Sequence, residues 1–389
     1  MKNKKVMYLI ASNYHGIGGH YYSVRTTAEA LQEIIDPIIV VIGKTKSPVI
    51  ELAKVPHINV YSNGWNIFMV IKNLIKIIRE EKPDILHGFD WGVLFYARIL
   101  GFIFKIPHIN TLPGGGNPTA YYPYTKNLIL YSQENFDYFK SHNKFKTTNL
   151  YLIPNRITAL TKDQNRITMI KEKLDNSKKT FLRISRFALH YKESLKQAIN
   201  LVEFLNKKGF KTQLLLIGTI AEKDTYNEII EYIKIKKEAN VYVFTEHLFT
   251  VNASELIDLA DFVIGTGRGF MEASSRAKIM LTPIMGSEYP VLINEENFMG
   301  YFNTNFSPRN KLTIDDAEYN LANIISLLKK KEANMKAKEF SKAMFDKYFD
   351  INKKKDEYRQ LYLSLEYEKK IYFFEFIEHF LRQFRSSIR

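Results

Sequence analysis

The chain has 389 residues, 46% of them hydrophobic, and this length and composition predict a folded protein of two domains. It contains no cysteine, which excludes disulfides, cysteine-ligated zinc and thiol nucleophiles. The net charge of +15 indicates an anionic partner (a nucleic acid, a phospholipid or a phosphorylated substrate) unless the lysines only solvate the surface.

Short apolar runs alternate with helical patterns over the first part of the chain. The first strand is predicted at 6–10, and a Gly-rich loop and a helix over 22–35 follow it. Further strands are predicted at 37–42, 57–61, 84–87, 108–111, 128–131 and 150–153, with helices at 67–81 and 93–104. Alternation of this kind predicts a doubly wound parallel sheet.

A polar segment over 161–179 is the predicted linker with a first helix, and a second alternating series follows it. Strands are predicted at 180–185, 213–217, 241–244, 262–265 and 282–285, with helices at 193–208, 221–236, 253–260 and 271–280. The fold class is therefore α/β, with two Rossmann-like sheets expected to face each other across a cleft. The predicted parts are a domain over 1–160, a domain over 161–338 and a helical tail over 339–389, whose first part packs back on the N-terminal domain.

The most informative segment is 260–273, where an apolar strand runs into a Gly-rich turn that opens a helix. The turn contains Thr266, Gly267 and Arg268, and the helix carries Glu272 near its start. Such a turn presents backbone N–H groups to an anion. Glu272 can accept hydrogen bonds from neighbouring sugar hydroxyls, so the segment suits the diphosphate and the ribose of a sugar nucleotide.

A second Gly-rich loop, which includes Gly16, Gly18 and Gly19, lies between the first strand and the first helix. Its backbone suits a phosphate or a closely approaching sugar, although a tight turn between strand and helix is the alternative interpretation. A dinucleotide fingerprint is not satisfied, because its third glycine position falls on Tyr21.

Two cations, Arg186 and Lys192, follow the predicted strand at 180–185. Fixed cations at this position would stabilise the charge that a departing diphosphate gains as the glycosidic bond breaks. Solvated surface charge is the alternative.

Weaker candidates lie at other strand ends. Asn155 lies in a turn at the proposed domain boundary and could reach the cleft, and the main chain around His247 and Leu248 could pair with the edge of a nucleobase. A purely structural turn and an ordinary polar loop residue are the alternatives for Asn155 and His247.

Three residues are candidates for binding the acceptor, the molecule that would receive a transferred sugar. Asp90 and His87 follow the strand at 84–87, and His20 lies in the first Gly-rich loop. Asp90 could serve as a base for an acceptor hydroxyl. A structural role remains the alternative for Asp90 and His20.

The order of these motifs resembles the GT-B glycosyltransferases over residues 5–290, and it is most similar to the retaining family 4 of bacterial surface-polysaccharide enzymes. The matching motifs are Gly18 with Gly19, Pro83 to His87, Ile153 to Asn155, Arg186 with Lys192, and Glu272 with Ala273. The resemblance implies transfer of a hexose-type sugar from a nucleoside-diphosphate donor to a cell-surface glycan or a lipid-linked acceptor, with retention. It implies no metal and no cofactor, and the leaving diphosphate itself can take the acceptor's proton.

The resemblance also assigns roles to residues. Arg186 and Lys192 would hold the donor diphosphate, and Glu272 would take the ribose hydroxyls. The other implied donor contacts are Gly18 and Gly19 near the diphosphate or the acceptor, Asn155 at the cleft, His247 and Leu248 at the base, and Thr266, Gly267 and Arg268 around the diphosphate.

Two departures from the family pattern stand out. Ile264 takes the place of a first glutamate that often contacts the donor sugar, and Pro113 takes the place of a histidine near the transferred sugar. The glycines after Pro113, or His87 or His108, would have to fill the second gap.

Residues 367–389 place aromatic residues at helical spacing and arginines at the end. This pattern is typical of a membrane-surface helix, and also of a helix that packs on the N-terminal domain. A lipid-linked acceptor at the inner leaflet would explain the basic charge. With no secretion signal or membrane span predicted, we expect a cytoplasmic protein, peripheral at the inner membrane face.

Other functions stay open. A catalytically silent protein could keep the same fold and bind a sugar nucleotide or a partner. A nicotinamide-dependent oxidoreductase would need an acidic residue after the first loop, and Asp36 could fill that position. A nucleic-acid binder would explain the charge, but no recognition module accompanies it.

Overall fold

The computed structural model describes residues 3–12, 16–118, 121–310, 314–369 and 373–386. The chain forms two compact units, a first unit of residues 1–158 and 350–389 and a second unit of residues 159–349. Their boundaries therefore differ from the predicted ones at 160 and 338. Within the described ranges, no helix has both the length and the apolar character needed to cross a membrane.

The first unit is built on a seven-stranded parallel sheet with the order β3-β2-β1-β4-β5-β6-β7. Its strands are β1 (Lys4–Ser12), β2 (Ile35–Gly43), β3 (His57–Tyr61), β4 (Ile85–Phe89), β5 (His108–Leu112), β6 (Asn127–Leu130) and β7 (Asn149–Leu152). The helices between them are α1 (Gly19–Leu31), α2 (Pro48–Glu51), α3 (Ile67–Glu81), α4 (Leu94–Phe104) and α5 (Gln133–Ser141).

Both faces of this sheet are covered, as expected for a doubly wound fold. Along β1, Val6, Tyr8 and Ile10 belong to the core on one face. The alternate residues Met7 and Leu9 belong to the core on the other. Side chains of a strand alternate between faces, so a continuous apolar run such as β1 needs helices on both sides.

Helix α3 shows how the local sequence determines which face of a helix is buried and where the helix ends. Its buried residues Ile67, Val70, Leu74, Ile77 and Ile78 repeat at helical spacing and face the sheet. The helix ends where Lys82 adopts a left-handed φ of 49° and its N–H bonds the carbonyl of Ile78. Pro83 follows and cannot continue a helix. The helix predicted at 67–81 is confirmed.

The second unit contains a six-stranded sheet with the order β10-β9-β8-β11-β12-β13, parallel except for β13. Its strands are β8 (Lys179–Ile184), β9 (Thr212–Ile217), β10 (Val241–Phe244), β11 (Phe262–Ile264), β12 (Ile279–Thr282) and β13 (Val291–Leu292). Its α-helices are α6 (Gln164–Lys171), α7 (Lys192–Lys207), α8 (Lys223–Ile235), α9 (His247–Thr250), α10 (Gly267–Ser275), α11 (Phe298–Asn303), α12 (Ile314–Lys329) and α13 (Lys331–Met344). The predicted α/β class with two Rossmann-like sheets is confirmed.

One stretch of the second unit was predicted wrongly. The helix expected over 271–280 ends at Ser275, and the strand expected over 282–285 lies earlier, as β12. Ala277 has a left-handed φ of 51°, which stops the helix. Ile279 and Leu281 are then buried in the sheet, where β12 pairs with both β11 and β13.

From Asp350 onwards the chain returns to the first unit, whereas residues 339–349 of the predicted tail belong to the second. Ile157 forms a parallel bridge with Asp350, and the N–H of Ile351 bonds the carbonyl of Ile157 at 2.9 Å. Two helices follow, α14 (Lys355–Ser364) and α15 (Phe373–Ser386). Tyr358 and Tyr362 of α14 lie in the core beneath β1.

Candidate functional site

The order of the second sheet creates a switch point between β8 and β11. These two strands are neighbours, and their connections lead to helices α7 and α10. In open α/β sheets, ligands bind outside the carboxyl ends of the strands at such a point. Arg186 follows β8, Lys192 begins α7, and the glycine turn (residues 265–269) follows β11.

The glycine turn is fixed by its own backbone. A Cβ on Gly265 would lie 2.9 Å from the backbone nitrogen of Phe270, so a larger residue does not fit. Gly267 has a left-handed φ of 48°. Thr266, the extended residue that precedes α10, makes no side-chain capping bond. The first turn of α10 therefore lacks a side-chain cap, and its Gly267 and Gly269 N–H groups instead donate to the backbone carbonyls of Asn305 and Thr266, at 3.2 and 3.1 Å.

Glu272 is held within α10 by Arg268. The Arg268 Nε donates to the Glu272 Oε1 at 2.7 Å, and both side chains are largely buried. Because the residues are four apart, this ion pair lies along one face of the helix. Arg268 thus orients the carboxylate that the sequence assigns to ribose hydroxyls.

The two predicted cations differ in their surroundings. The Arg186 guanidinium lies 5.5 Å from the centre of the Tyr191 ring and donates to the Tyr191 hydroxyl at 3.4 Å. The Lys192 Nζ instead lies 2.8 Å from Glu228 Oε2 of α8. That hydrogen bond raises the pKa of Lys192 above its ordinary value. The structure therefore brings Arg186 and the glycine turn to one edge, whereas Lys192 is paired with a carboxylate.

Sequence reasoning missed a third cation, Arg183, which lies inside β8 and is almost fully buried. It donates to the Ile264 carbonyl at 3.2 Å and to the Ser194 Oγ at 3.0 Å. Burial lowers the pKa of Arg183 to about 10. The available signal was a charged residue within an otherwise apolar strand.

The residues assigned to the base lie further along the same sheet. His247 and Leu248 open the short helix α9 after β10, and both are exposed. Strand β10 is the edge strand, separated from β8 by β9. The preceding Glu246 turns its carboxylate back to the N–H of Thr245, at 2.9 Å.

The first sheet has its own switch point, between β1 and β4. Helix α1 begins at Gly19, earlier than predicted, and Gly18 precedes it in an extended conformation without a side-chain cap. A Cβ on Gly18 would lie 2.8 Å from the His20 ring, so this glycine allows the histidine to fold over the loop. The His20 ring itself packs on Tyr21, with centroids 4.1 Å apart.

Asp90 follows β4 in a strained backbone conformation, with a left-handed φ of 82°. Its Oδ1 accepts from the N–H of Gly92 at 2.8 Å. Burial raises the pKa of the Asp90 carboxyl to about 7, although backbone hydrogen bonds partly offset that rise. Asp90 itself is only partly buried. Strained carboxyl groups with a perturbed pKa at a strand end are concentrated at functional sites, which keeps Asp90 a candidate.

His87 is placed differently from its prediction as an acceptor-side residue. It is fully buried, with Nδ1 at 2.8 Å from the Tyr362 hydroxyl and Nε2 at 2.7 Å from the Thr111 hydroxyl. Burial lowers the pKa of His87 to about 3, and the pKa of the equally buried His108 falls to about 3 as well. Both rings are therefore interior, and neither is exposed to fill the gap left at Pro113.

Asn155 is also interior. It is buried, and its Nδ2 donates to the Asp350 carbonyl at 3.0 Å. In this position its hydrogen bond links residues 1–158 of the first unit to residues 350–389 of the same unit.

No family model and no curated protein matches the chain. Several solved structures do resemble its fold. A glycosyltransferase from Rickettsia africae is 17% identical, with a TM-score of 0.66 over 94% of this chain and 100% of the other. HepE from Anabaena, in complex with UDP and glucose, is 15% identical, with a TM-score of 0.65 over 93% and 100%.

The same fold also carries a different chemistry. The UDP-GlcNAc 2-epimerase of Neisseria meningitidis, bound to UDP-GlcNAc, is 13% identical, with a TM-score of 0.54 over 92% of this chain and 99% of the other. The chain thus has the two-domain architecture of the GT-B proteins. At this level of identity the likeness concerns the fold, and function must be argued from the site.

Proposed function

We propose that the protein is a glycosyltransferase that takes its sugar from a nucleoside-diphosphate donor. The observation that carries this proposal is the glycine turn at the start of α10, which lies beside the loop of Arg186 at the switch point of the second sheet. A helix N-terminus that has no side-chain cap, together with a nearby guanidinium, provides the positive field that stabilises a leaving diphosphate. The binding of UDP and glucose by HepE, which shares the fold, agrees with such a donor.

The other donor contacts follow from that placement. Glu272, oriented by Arg268, binds the ribose hydroxyls. Lys192 exchanges Glu228 for the diphosphate when the donor arrives, because an exposed ion pair is weak. The main chain at His247 and Leu248 contacts the base.

The acceptor belongs with the first unit in this proposal. Gly18 and Gly19 follow β1, with open space at the Cβ position of Gly19, and Asp90 lies at the end of the neighbouring β4. A carboxyl group with a pKa of about 7 is suited to exchange a proton with an acceptor hydroxyl. The proposed reaction proceeds with retention and without a metal, onto a cell-surface glycan or a lipid-linked acceptor.

We propose further that the tail contacts the inner leaflet. In α15, Phe374 is 86% exposed and Leu381 is 49% exposed, while Phe376 and Phe380 pack against the core of the first unit. An amphipathic helix that leaves apolar side chains in water is suited to an interface. Co-sedimentation with vesicles containing anionic lipid tests this contact.

A ligand screen tests the main proposal. Thermal unfolding is measured with UDP-, GDP-, ADP- and CMP-sugars, since a ligand bound by the folded state raises the unfolding temperature by mass action. The donor identified in this way is then incubated with lipid-linked and glycan acceptors, and the glycosidic product is followed by mass spectrometry.

The outcomes separate the candidate functions. A glycosylated product of retained anomeric configuration supports the transferase. Conversion of the sugar nucleotide into its C2 epimer without an acceptor would favour the epimerase chemistry found on this fold. Binding without turnover would favour a catalytically silent protein.

A further inference from the structure

Arg183 is a buried cation for which the described residues supply no counter-ion. Its side chain is 3% exposed, and its Nε has no hydrogen-bond partner. Its two hydrogen bonds go to neutral oxygens, the Ile264 carbonyl and the Ser194 hydroxyl. Across the described part of the chain, no carboxylate forms an ion pair with it.

Of the three other buried arginines among the described residues, Arg156 stacks on the Tyr131 ring, and two show the usual arrangement. Arg98 lies 2.7 Å from Glu375, and Arg166 lies 2.6 Å from Glu255. Burying a charge is costly unless it is paired, so a carboxylate normally accompanies a buried guanidinium. Arg183 departs from this pattern.

Two sources of positive charge lie near Arg183, and the carboxylate in the first turn of α7, Glu193, is exposed and paired with Lys196. Ser194 lies in the first turn of α7, where the helix dipole is positive. Arg186 follows in the next loop. Ile264, where the family resemblance would place a glutamate, turns its apolar side chain into the core and offers only its carbonyl.

We propose that the charge of Arg183 belongs to an anion site at this edge, and that a bound diphosphate supplies the missing negative charge. Arg183 is a positioning residue in this proposal. Its hydrogen bonds join the end of β11, where the glycine turn begins, to the first turn of α7. Its charge strengthens the positive electrostatic field that the glycine turn and α7 present to the anion. The proposal rests on the proposed function, because it specifies how the donor's diphosphate is held.

A purely structural role of Arg183 and a role of its charge in ligand binding predict opposite results for a neutral substitution. If Arg183 only braces the sheet, Arg183→Met lowers the unfolding temperature and leaves anion affinity unchanged. If its charge serves a ligand, Arg183→Met removes an unpaired buried charge, so the free protein is at least as stable as before while anion affinity falls.

Calorimetric titration with pyrophosphate and with UDP tests the proposal. We expect Arg183→Met to lower affinity for both by about 10- to 100-fold, as loss of a charged partner does. Arg183→Lys, which keeps the charge, should stay within about 10-fold of the wild type. The control Arg98→Met breaks a buried ion pair in the first unit, and it should lower the unfolding temperature without changing either affinity.

Three results would overturn the proposal. Unchanged affinities in Arg183→Met would assign the residue to the architecture alone, while the proposed function would stand. Equal losses in the Lys and Met variants would exclude charge as the cause. A wild type that binds neither pyrophosphate nor any nucleoside diphosphate would overturn the proposed function together with this inference. Arg183→Gln, which retains a donor for the Ile264 carbonyl, takes the place of Arg183→Met if the latter does not fold.

Discussion

The carboxyl edges of the two sheets share a topology but differ in charge. Each has a switch point at which a Gly-rich loop opens a helix, α1 in the first unit and α10 in the second. Beside the second lie the cations of β8 and α7. Beside the first lies Asp90, whose pKa burial raises to about 7. The same strand order therefore places cations at one switch point and a carboxyl group with a raised pKa at the other, and we propose that the first edge binds an anion and the second exchanges a proton.

The largest expected effect concerns Lys192, which forms an ion pair with Glu228. If Lys192 leaves Glu228 to hold the departing diphosphate, Lys192→Ala should lower kcat by about 100- to 1,000-fold. Stability should change little, because an exposed ion pair contributes little to it. Initial rates of sugar transfer at saturating donor measure this effect.

Glu228→Ala is the matched control. It removes the same ion pair but keeps the cation, so transfer should remain near the wild-type rate. Equal losses of rate in both variants would mean that the ion pair itself matters. Contact between Lys192 and the diphosphate would then be excluded.

The next effect concerns Asp90 and depends on pH. Its pKa is about 7 in the folded protein and 3.8 in the ordinary carboxyl, so the unfolded chain releases this proton first as pH rises. The contribution of Asp90 to stability is therefore greatest below pH 4 and is lost as pH rises towards 7. Asp90→Asn, which tolerates the same left-handed backbone, should gain stability relative to the wild type over this range, by about 2–3 kcal/mol.

Denaturant unfolding of both proteins between pH 4.5 and 8 measures the difference. A difference in free energy of unfolding that stays constant with pH would show that the carboxyl is ionised in the folded protein. The contrast between the two edges would then lose its basis.

Glu272 should give a smaller effect that is confined to the ribose. Glu272→Gln keeps the shape but weakens hydrogen bonds to the sugar hydroxyls, and nucleoside-diphosphate affinity should fall by about 10- to 30-fold. Pyrophosphate affinity should not change. Comparison of UDP with its 2′-deoxy analogue sharpens the test, because a preference for the ribonucleotide should be present in the wild type and reduced in the variant. If the variant kept the full preference for the ribonucleotide, Glu272 would not bind the ribose hydroxyls.

Much of the fold could be predicted because periodic apolar runs report burial directly. Helix α3 and strand β10 lie at their predicted positions, since each has an unbroken pattern and clear ends. The end of α10 could not be predicted in this way. Residues 271–280 carry apolar side chains that suit either state, and only the left-handed Ala277 and the pairing of β12 decide between them.

The residues of the candidate site were harder to predict than the elements that carry them. Sequence places Arg186 and the glycine turn after neighbouring strands, but it does not report what a side chain contacts. The pairing of Lys192 with Glu228, the burial of His87 against Tyr362 and the missing counter-ion of Arg183 all depend on elements distant in the chain or on the absence of a partner.

Asn155 should give the smallest effect and separates the two interpretations of its motif. Its side chain bonds the Asp350 carbonyl inside the first unit, where the tail returns. Asn155→Ala should therefore lower the free energy of unfolding by about 1 kcal/mol, the usual net contribution of one hydrogen bond. Nucleotide affinity, measured by titration with UDP, should stay unchanged. A loss of affinity with unaltered stability would instead return Asn155 to the donor site and would show that the tail does not need this bond.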